Sequence, residues 1–245
     1  GVTSFCFLVY ERVVTKREKT KNAALKVVAS LFPSGVQDKV LKGAQEGVHG
    51  IPEKGSVIAS FFPATTVMFA DISGFTAWSS TREPVQVFRL LETVYGAMDE
   101  IAVRRGVFKV ETVGDCYVAV CGLPEPRDDH AVAMTRFARD CQLRMASLSE
   151  QLEVALGPDT ADLSFRIGMH SGPVTGGVLR GQNARFQLFG DTMNQASRME
   201  STGIKDRIQL SAATAQMLIS SGKGKWIEKR PEKVHVKGIG LQETY

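Results

Sequence analysis

The stretch VFKVETVGDCYVAVC, residues 107–121, decides the architecture. Residues 107–113 and 117–120 are two short runs rich in β-branched and aromatic side chains, and Gly114-Asp115 between them is a hairpin turn signal in Gly-Asp order. Working outward, Gly106 closes a helix expected over 84–105, which starts at Pro84, a favoured first-turn residue. Before that helix, Ala64-Thr65-Thr66-Val67-Met68-Phe69-Ala70 is a short apolar run bounded by Asp71 and Gly74, the pattern of a buried strand. After the hairpin, Asp128 or Asp129 is placed to cap a long helix running to about residue 156. Residues 163–170 and 173–179 then read as a strand pair around Ser171-Gly172. Strand, helix, hairpin, helix, strand is the split βαβ order, so the chain is expected to be an α+β protein of ferredoxin-like type.

Beyond this unit the pattern predicts a helix over 190–202, a strand at 207–210, a helix at 211–220 and short strands near 225–229 and 233–237. On the amino-terminal side, apolar residues at helical spacing (Leu25, Val28 and Phe32) predict a helix over about 13–41, interrupted by Pro33-Ser34-Gly35. A shorter helix over 36–41 follows that break. Gly43, Gly47, Gly50, Pro52 and Gly55 give residues 42–60 the composition of a loop. The domain boundary is therefore expected near 55–62, with an N-terminal helical segment and linker over 1–60 and the main domain over 61–245. No internal repeat is present.

With 43% hydrophobic and 23% charged residues in 245, the chain belongs with ordinary globular proteins, and collagen-like, low-complexity and disordered classes are excluded. The net charge of +4 is local: residues 1–60 hold nine Lys and Arg against five Asp and Glu, while 61–245 holds 21 of each. A neutral main domain whose hairpin strands carry only Phe108 and Tyr117 as aromatics lacks the basic, aromatic face of a nucleic-acid binder. The four cysteines, Cys6, Cys116, Cys121 and Cys141, form no C-x-x-C pair, so they are expected to pack as reduced small hydrophobes. The first ten residues, GVTSFCFLVY, are mostly apolar and pass into Lys16-Arg17-Glu18-Lys19-Thr20-Lys21. That is what the cytoplasmic end of a membrane-spanning helix looks like, and equally what a buried helix start followed by solvated charges looks like.

Two acids stand where strands end: Asp71, and Asp115 in the hairpin turn. In a split βαβ sheet the first strand lies beside the hairpin, so the two carboxylates converge at one end of the sheet. Mg²⁺ accepts one or two carboxylates and fills its other positions with water and phosphate oxygens. Two such ions about 3.5–4 Å apart clamp the attacking and leaving oxygens of a phosphoryl transfer. Taken singly, each acid is also an ordinary turn residue. A second cluster lies in FGDTMNQASR, 189–198, where Asn194 and Arg198 are one helical turn apart and share a face. An amide beside a guanidinium orients a nucleophile and neutralises developing phosphate charge.

Several separated motifs together resemble the class III nucleotidyl cyclases: FADISGFT at 69–76, VETVGDCYVAVCGLPEPRDDHA at 110–131, FRIGMHSGPVTGGV at 165–178, FQLFGDTMNQASRMESTG at 186–203 and VHVKGIG at 234–240. In motif pattern the likeness is greatest to the eukaryotic guanylyl cyclases, and it covers about 36–245. It implies an α+β cyclase domain that works as a head-to-tail homodimer with shared active sites. It also implies two Mg²⁺ or Mn²⁺ per site, held by Asp71 and Asp115 with the backbone carbonyl of Ile72. By the same resemblance Asn194 and Arg198 are the transition-state pair, and Arg166 and Lys237 contact the triphosphate. A membrane tether or sensor upstream, with the domain at the cytoplasmic face, is the corresponding expectation for location.

In this family two positions choose the purine, and here they are Glu111 and Gln187. Adenylyl cyclases usually carry lysine at the first position. A carboxylate accepts from both N1–H and N2–H of guanine but repels the N1 acceptor of adenine. Gln187 departs from the family pattern of cysteine, or of aspartate or threonine; its amide donates to guanine O6 or accepts from adenine N6. The pair favours GTP, with ATP as the alternative substrate. A non-catalytic nucleotide-binding regulatory domain is disfavoured because Asp71, Asp115, Asn194 and Arg198 are all present. A diguanylate cyclase would need a Gly-Gly-Asp/Glu-Glu-Phe turn, and none occurs.

Overall fold

The computed structural model describes residues 58–179, 185–238 and 240–245. The helices expected over 13–41 and the loop before residue 58 lie outside them, as does Cys6. The chain falls into two compact units. Residues 60–176 with 187–245 carry everything below; of the other, 1–59 with 177–186, the structure describes only residues 58–59, 177–179 and 185–186, which are strand ends.

In chain order the elements are β1 (Ile58–Ser73), α1 (Phe75–Ser79), α2 (Pro84–Arg105), β2 (Phe108–Val113), β3 (Cys116–Cys121), α3 (His130–Leu156), β4 (Ser164–Leu179), β5 (Arg185–Phe189), α4 (Asp191–Ser201), β6 (Ile208–Leu210), α5 (Ala212–Ser220), β7 (Val234–Val236) and β8 (Gly240–Gln242). The main sheet runs β2-β3-β1-β4-β5, with β6 parallel to β4. β2-β3-β1-β4 is the order that a split βαβ unit requires. Alternation along the strands sorts their side chains: Met68, Ala70 and Ile72 of β1, Tyr117, Ala119 and Cys121 of β3, and Phe165, Ile167 and Met169 of β4 all enter one core. Leu90, Val94 and Met98 of α2 and Met134, Phe137, Cys141 and Met145 of α3 cover that face.

Local chemistry sets the helix ends. Pro84 opens α2 inside a reciprocal box in which Glu83 and Gln86 cap one another's backbone, and Gly106 closes it with φ 64°. Asp129 occupies the N-cap position of α3, one of the two expected, but its side chain does not cap the helix; the carboxylate accepts from Arg127 Nε at 2.6 Å instead. A chain of buried hydroxyls ties the elements behind the sheet. Thr66 Oγ1 meets His130 Nδ1 at 2.7 Å and Ser171 Oγ at 2.8 Å, Ser171 meets Thr214 at 3.0 Å, and Ser211 meets His170 Nδ1 at 2.7 Å. Burial holds both histidines below their ordinary pKa, so they serve this chain as neutral imidazoles.

Two expectations are corrected. The strand pair around Ser171-Gly172 is one continuous strand, β4. Ser171 is buried with hydroxyl partners on both sides, and Gly172 is needed for close approach, since a Cβ there would stand 2.6 Å from Thr192 Oγ1. The strand expected near 225–229 begins instead as a 3-10 turn, Gly224–Trp226, in which Trp226 N donates to Lys223 O at 2.8 Å. The Arg136 and Lys223 cations stand 5.7 and 5.3 Å from the Trp226 ring, so that aromatic residue marks a stacked surface contact rather than a strand. The partner of β7 is β8, through a turn at Lys237-Gly238. α1, β5 and β8 were not expected from the sequence.

The opposite face of the sheet is covered where α4 crosses β4. A Cβ on Gly168 would lie 1.8 Å from the backbone nitrogen of Glu200 and 2.4 Å from its Cα, so the helix backbone rests directly on the strand. Overpacking of this kind costs about 1–3 kcal/mol or more. Gly168→Ala is therefore expected to lower the thermal midpoint by at least about 2 °C in a circular-dichroism melt. A midpoint unchanged within 1 °C would show that α4 yields easily.

Candidate functional site

β1 and β3 are antiparallel with Asp71 opposite Cys116, so Asp71 comes to lie beside Asp115 at the hairpin turn. The backbone joins there as well, with Ile72 N donating to Asp115 O at 3.3 Å. The two carboxyl groups are close enough to interact electrostatically. Burial first, and then the Asp115 charge, push the Asp71 pKa up against the opposing pull of Arg166. The convergence expected from the sequence is present.

The arrangement fits a hard dication. Two crowded carboxylates in a half-buried setting, one held above its ordinary pKa, form a negative site short of countercharge. Among the described residues no group of three or more His, Cys, Asp or Glu side chains is placed to enclose a metal. An ion at Asp71 and Asp115 must therefore take its remaining ligands from backbone, water or substrate oxygens, as Mg²⁺ and Mn²⁺ readily do.

Arg166, on β4, does not stand apart as a waiting phosphate contact. Its Nη2 donates to Asp71 Oδ2 at 3.0 Å and its Nε to Glu200 Oε1 at 2.6 Å. Glu200 itself is nearly buried, and burial raises its pKa while Arg166 opposes the rise. Cys116, across from Asp71, is pushed up to about 12 by burial and then by the Glu200 and Asp71 charges, so it remains a thiol.

Asn194 and Arg198 share a face of α4 as the spacing predicted. The carboxyl end of that helix is clamped: Thr202 Oγ1 donates to Arg198 O at 2.7 Å, Gln209 Nε2 to Met199 O at 3.0 Å, and Arg230 Nη1 to Thr202 O at 3.0 Å. A guanidinium at a helix C-terminus also complements the helix dipole. A Cβ on Gly238 would stand 3.5 Å from Arg198 Nη2, so the β7–β8 turn lies against that guanidinium, with exposed Lys237 the neighbouring residue. The turn that carries Lys237 thus lies beside Arg198.

Glu111 is exposed on β2, and its direction depends on an irregularity. The β2–β3 register shifts between Lys109 and Glu111, opposite Ala119 and Val118, so the two side chains take opposite faces although they are two residues apart. Lys109 is pinned on the helix side by Asp99 Oδ2 at 2.8 Å, beneath the Tyr117 ring at 5.1 Å. Gln187 is half-buried on β5, and β2 and β5 are the two ends of the strand order.

Sequence reasoning missed two supporting residues. Glu200 lies four and seven positions after Ala196 and Met193, on the covered side of α4, and an acid on an apolar helical face was the available signal. Tyr95 of α2 donates from its hydroxyl to Gly114 O at 3.0 Å and so holds the turn that carries Asp115. Burial and the Asp115 charge raise its pKa, so the phenol stays protonated as a donor.

Comparison with known proteins bears on this site. The sequence profile of the adenylate and guanylate cyclase catalytic domain matches residues 57–245. The chain is 36% identical over 225 residues to the receptor-type guanylate cyclase gcy-28 of Caenorhabditis elegans, covering 92% of this chain and 16% of that protein. It is 38% identical over 198 residues to guanylate cyclase D of Mus musculus, covering 80% of this chain and 17% of that one. The chain thus spans about a sixth of the length of these relatives. Among solved structures it is similar to the guanylate cyclase domain of RhGC from Catenaria anguillulae in complex with GTP. That likeness has a TM-score of 0.65 and 38% identity, and covers 76% of this chain and 96% of the other.

The Tyr95 hydroxyl bond is worth about 1 kcal/mol, the typical net value of one hydrogen bond. Tyr95→Phe is expected to speed amide exchange roughly fivefold in a peptide covering 112–117, read by hydrogen–deuterium exchange mass spectrometry, with protection of β4 unchanged. Equal exchange in both proteins would remove Tyr95 from the support of this turn.

Proposed function

The chain belongs to the adenylate and guanylate cyclase catalytic-domain family, and on that premise we propose that it converts GTP to 3′,5′-cyclic GMP and pyrophosphate. The observation that carries the reading is the pair Asp71 and Asp115, brought side by side at the end of β1 and β3. When bound there, two Mg²⁺ or Mn²⁺ ions supply activation of the ribose 3′-hydroxyl and neutralisation of the triphosphate. Asp71 and Asp115 hold them, with the Ile72 carbonyl as a backbone donor.

In the reaction the 3′-oxygen attacks the α-phosphorus, its proton passes to solvent, and the bond to the β-phosphate oxygen breaks. Asn194 orients the ribose through its amide, and Arg198 takes up charge as it develops on the α-phosphate. Lys237, on the turn beside Arg198, and Arg166 contact the triphosphate, and Arg166 reaches it by releasing Asp71. Glu111 accepts from the two donor groups of guanine, and Gln187 donates to O6. A site that reads a base through paired hydrogen bonds discriminates strongly when both partners fit.

One chain carries every one of these groups, so a two-fold homodimer holds two complete sites. Residues 61–245 are the catalytic domain in this reading. Residues 1–60 form a dimerising, juxtamembrane segment whose basic cluster faces an anionic inner leaflet, so that the domain works at the cytoplasmic face. The receptor-type name of the worm relative supports that placement. No helix among the described residues is long and apolar enough to cross a membrane. ATP is the second reading, and Gln187 favours it to the extent that its amide presents a carbonyl to adenine N6.

Incubation of the purified chain with Mn²⁺ and either GTP or ATP, followed by product identification, is expected to give cyclic GMP in excess of cyclic AMP. Asp71→Asn and Asp115→Asn are each expected to lower kcat by at least about a hundredfold, the scale of losing an electrostatic group in a transition state. Pyrophosphate without a cyclic nucleotide, or no turnover, would sink the assignment. Glu111→Lys combined with Gln187→Asp is expected to move the GTP/ATP ratio of kcat/KM toward ATP by at least tenfold. An unchanged ratio would show that these two positions do not read the base.

A further inference from the structure

We propose that Glu200 is a positioning residue for the reaction: it grips Arg166 and thereby governs both the charge that Asp71 feels and the guanidinium available to the triphosphate. The proposal rests on the cyclase reading above. Its observations are geometric. Arg166 Nε donates to Glu200 Oε1 at 2.6 Å, shorter than its 3.0 Å contact from Nη2 to Asp71 Oδ2. The guanidinium is thus shared between two carboxylates, and the shorter bond belongs to the one that the catalytic reading does not use.

Glu200 has little freedom to let go. Its backbone lies on Gly168 of β4 so closely that no Cβ fits between them, and its side chain is only 10% exposed. Arg166 and Gly168 are two apart on the same strand and project to the same face, so the contact that seats the helix also brings Glu200 onto Arg166. A guanidinium is planar and its donors are fixed relative to one another, so an anchor on Nε aims the Nη edge. That edge points to Asp71 in this structure. It is the edge that is passed to an anionic substrate once Asp71 is occupied by a cation.

The charge argument gives the direction. With Glu200 present, the Arg166 charge is divided between two carboxylates, and the region around Asp71 and Asp115 stays net negative. Without it, the whole Arg166 charge bears on Asp71 and competes with a divalent cation. Loss of a supporting partner of this kind typically costs 10–100-fold in metal affinity.

The test is Mn²⁺ binding by the full chain without nucleotide, read from the electron paramagnetic resonance signal of free Mn²⁺. Glu200→Gln is expected to weaken binding by roughly tenfold. Glu200→Asp, which keeps the charge but withdraws it by one methylene, is expected to weaken binding by more than about twofold but by less than Glu200→Gln. In an Arg166→Gln background, Glu200→Gln is expected to change Mn²⁺ affinity by less than about twofold, because the effect passes through Arg166. With GTP, Glu200→Gln is expected to raise KM by a larger factor than it lowers kcat.

Mn²⁺ affinity within twofold of the parent in either single variant would overturn the proposal. So would a full tenfold effect that persists without Arg166, which would make Glu200 independent of it. If Glu200→Gln does not fold, Glu200→Asp decides by the same criterion. A parent chain that binds Mn²⁺ but makes no cyclic nucleotide sinks the cyclase reading alone. A parent that turns over GTP while Glu200→Gln binds Mn²⁺ normally sinks only the role of Glu200.

Discussion

The contact between Gly168 and the backbone of α4 is the constraint on which the functional side of the molecule depends. Only a residue without a Cβ lets a helix lie directly on the strand. That seat fixes the height and rotation of α4. It turns Ala196 and Met199 into the protein, drops Glu200 onto Arg166 and leaves Asn194 and Arg198 on the outer side. Gln209 and Arg230 then hold the far end of the helix by hydrogen bonds to its last carbonyls.

The carboxylate pair depends on a second piece of geometry, the registered pairing of β1 with β3. Residues 66–71 pair one for one with 121–116, so Asp71 cannot slip away from Asp115 without moving its whole strand. The opposite face of that strand is locked by the apolar core on α2 and α3. The hydroxyl chain from His130 through Thr66, Ser171 and Thr214 adds directional bonds at the other end of the strand. The core thus holds in place two like charges that repel one another, with Arg166 as their protein countercharge. Strain of this electrostatic kind is tolerable only where the scaffold is rigid.

Much of this was legible in the sequence, and the reasons are local. Pro84 and Gly106 announced the ends of α2, Gly114-Asp115 announced the hairpin, and a four-residue spacing put Asn194 and Arg198 on one helix face. The errors also have local causes. Ser171-Gly172 looks like a turn because the same two residue types serve turns and close packing, and only the presence of Thr66, Thr192 and Thr214 around them decides between those uses. Trp226 looks like a strand residue until its cationic neighbours are seen.

By itself the sequence determined the alternation of strand and helix, the positions of the two acids at strand ends and the family resemblance carried by five separated motifs. Those features follow from periodicity and turn chemistry, which act over a few residues. Only the tertiary structure decided that Arg166 is engaged by Asp71, 95 residues away in the chain, that Glu200 is its second partner, and that a bulge sends Lys109 and Glu111 to opposite faces. Such pairings are set by which buried surfaces meet. The same arginine, two positions from a residue other than glycine, would carry the same local pattern and have no glutamate to hold it.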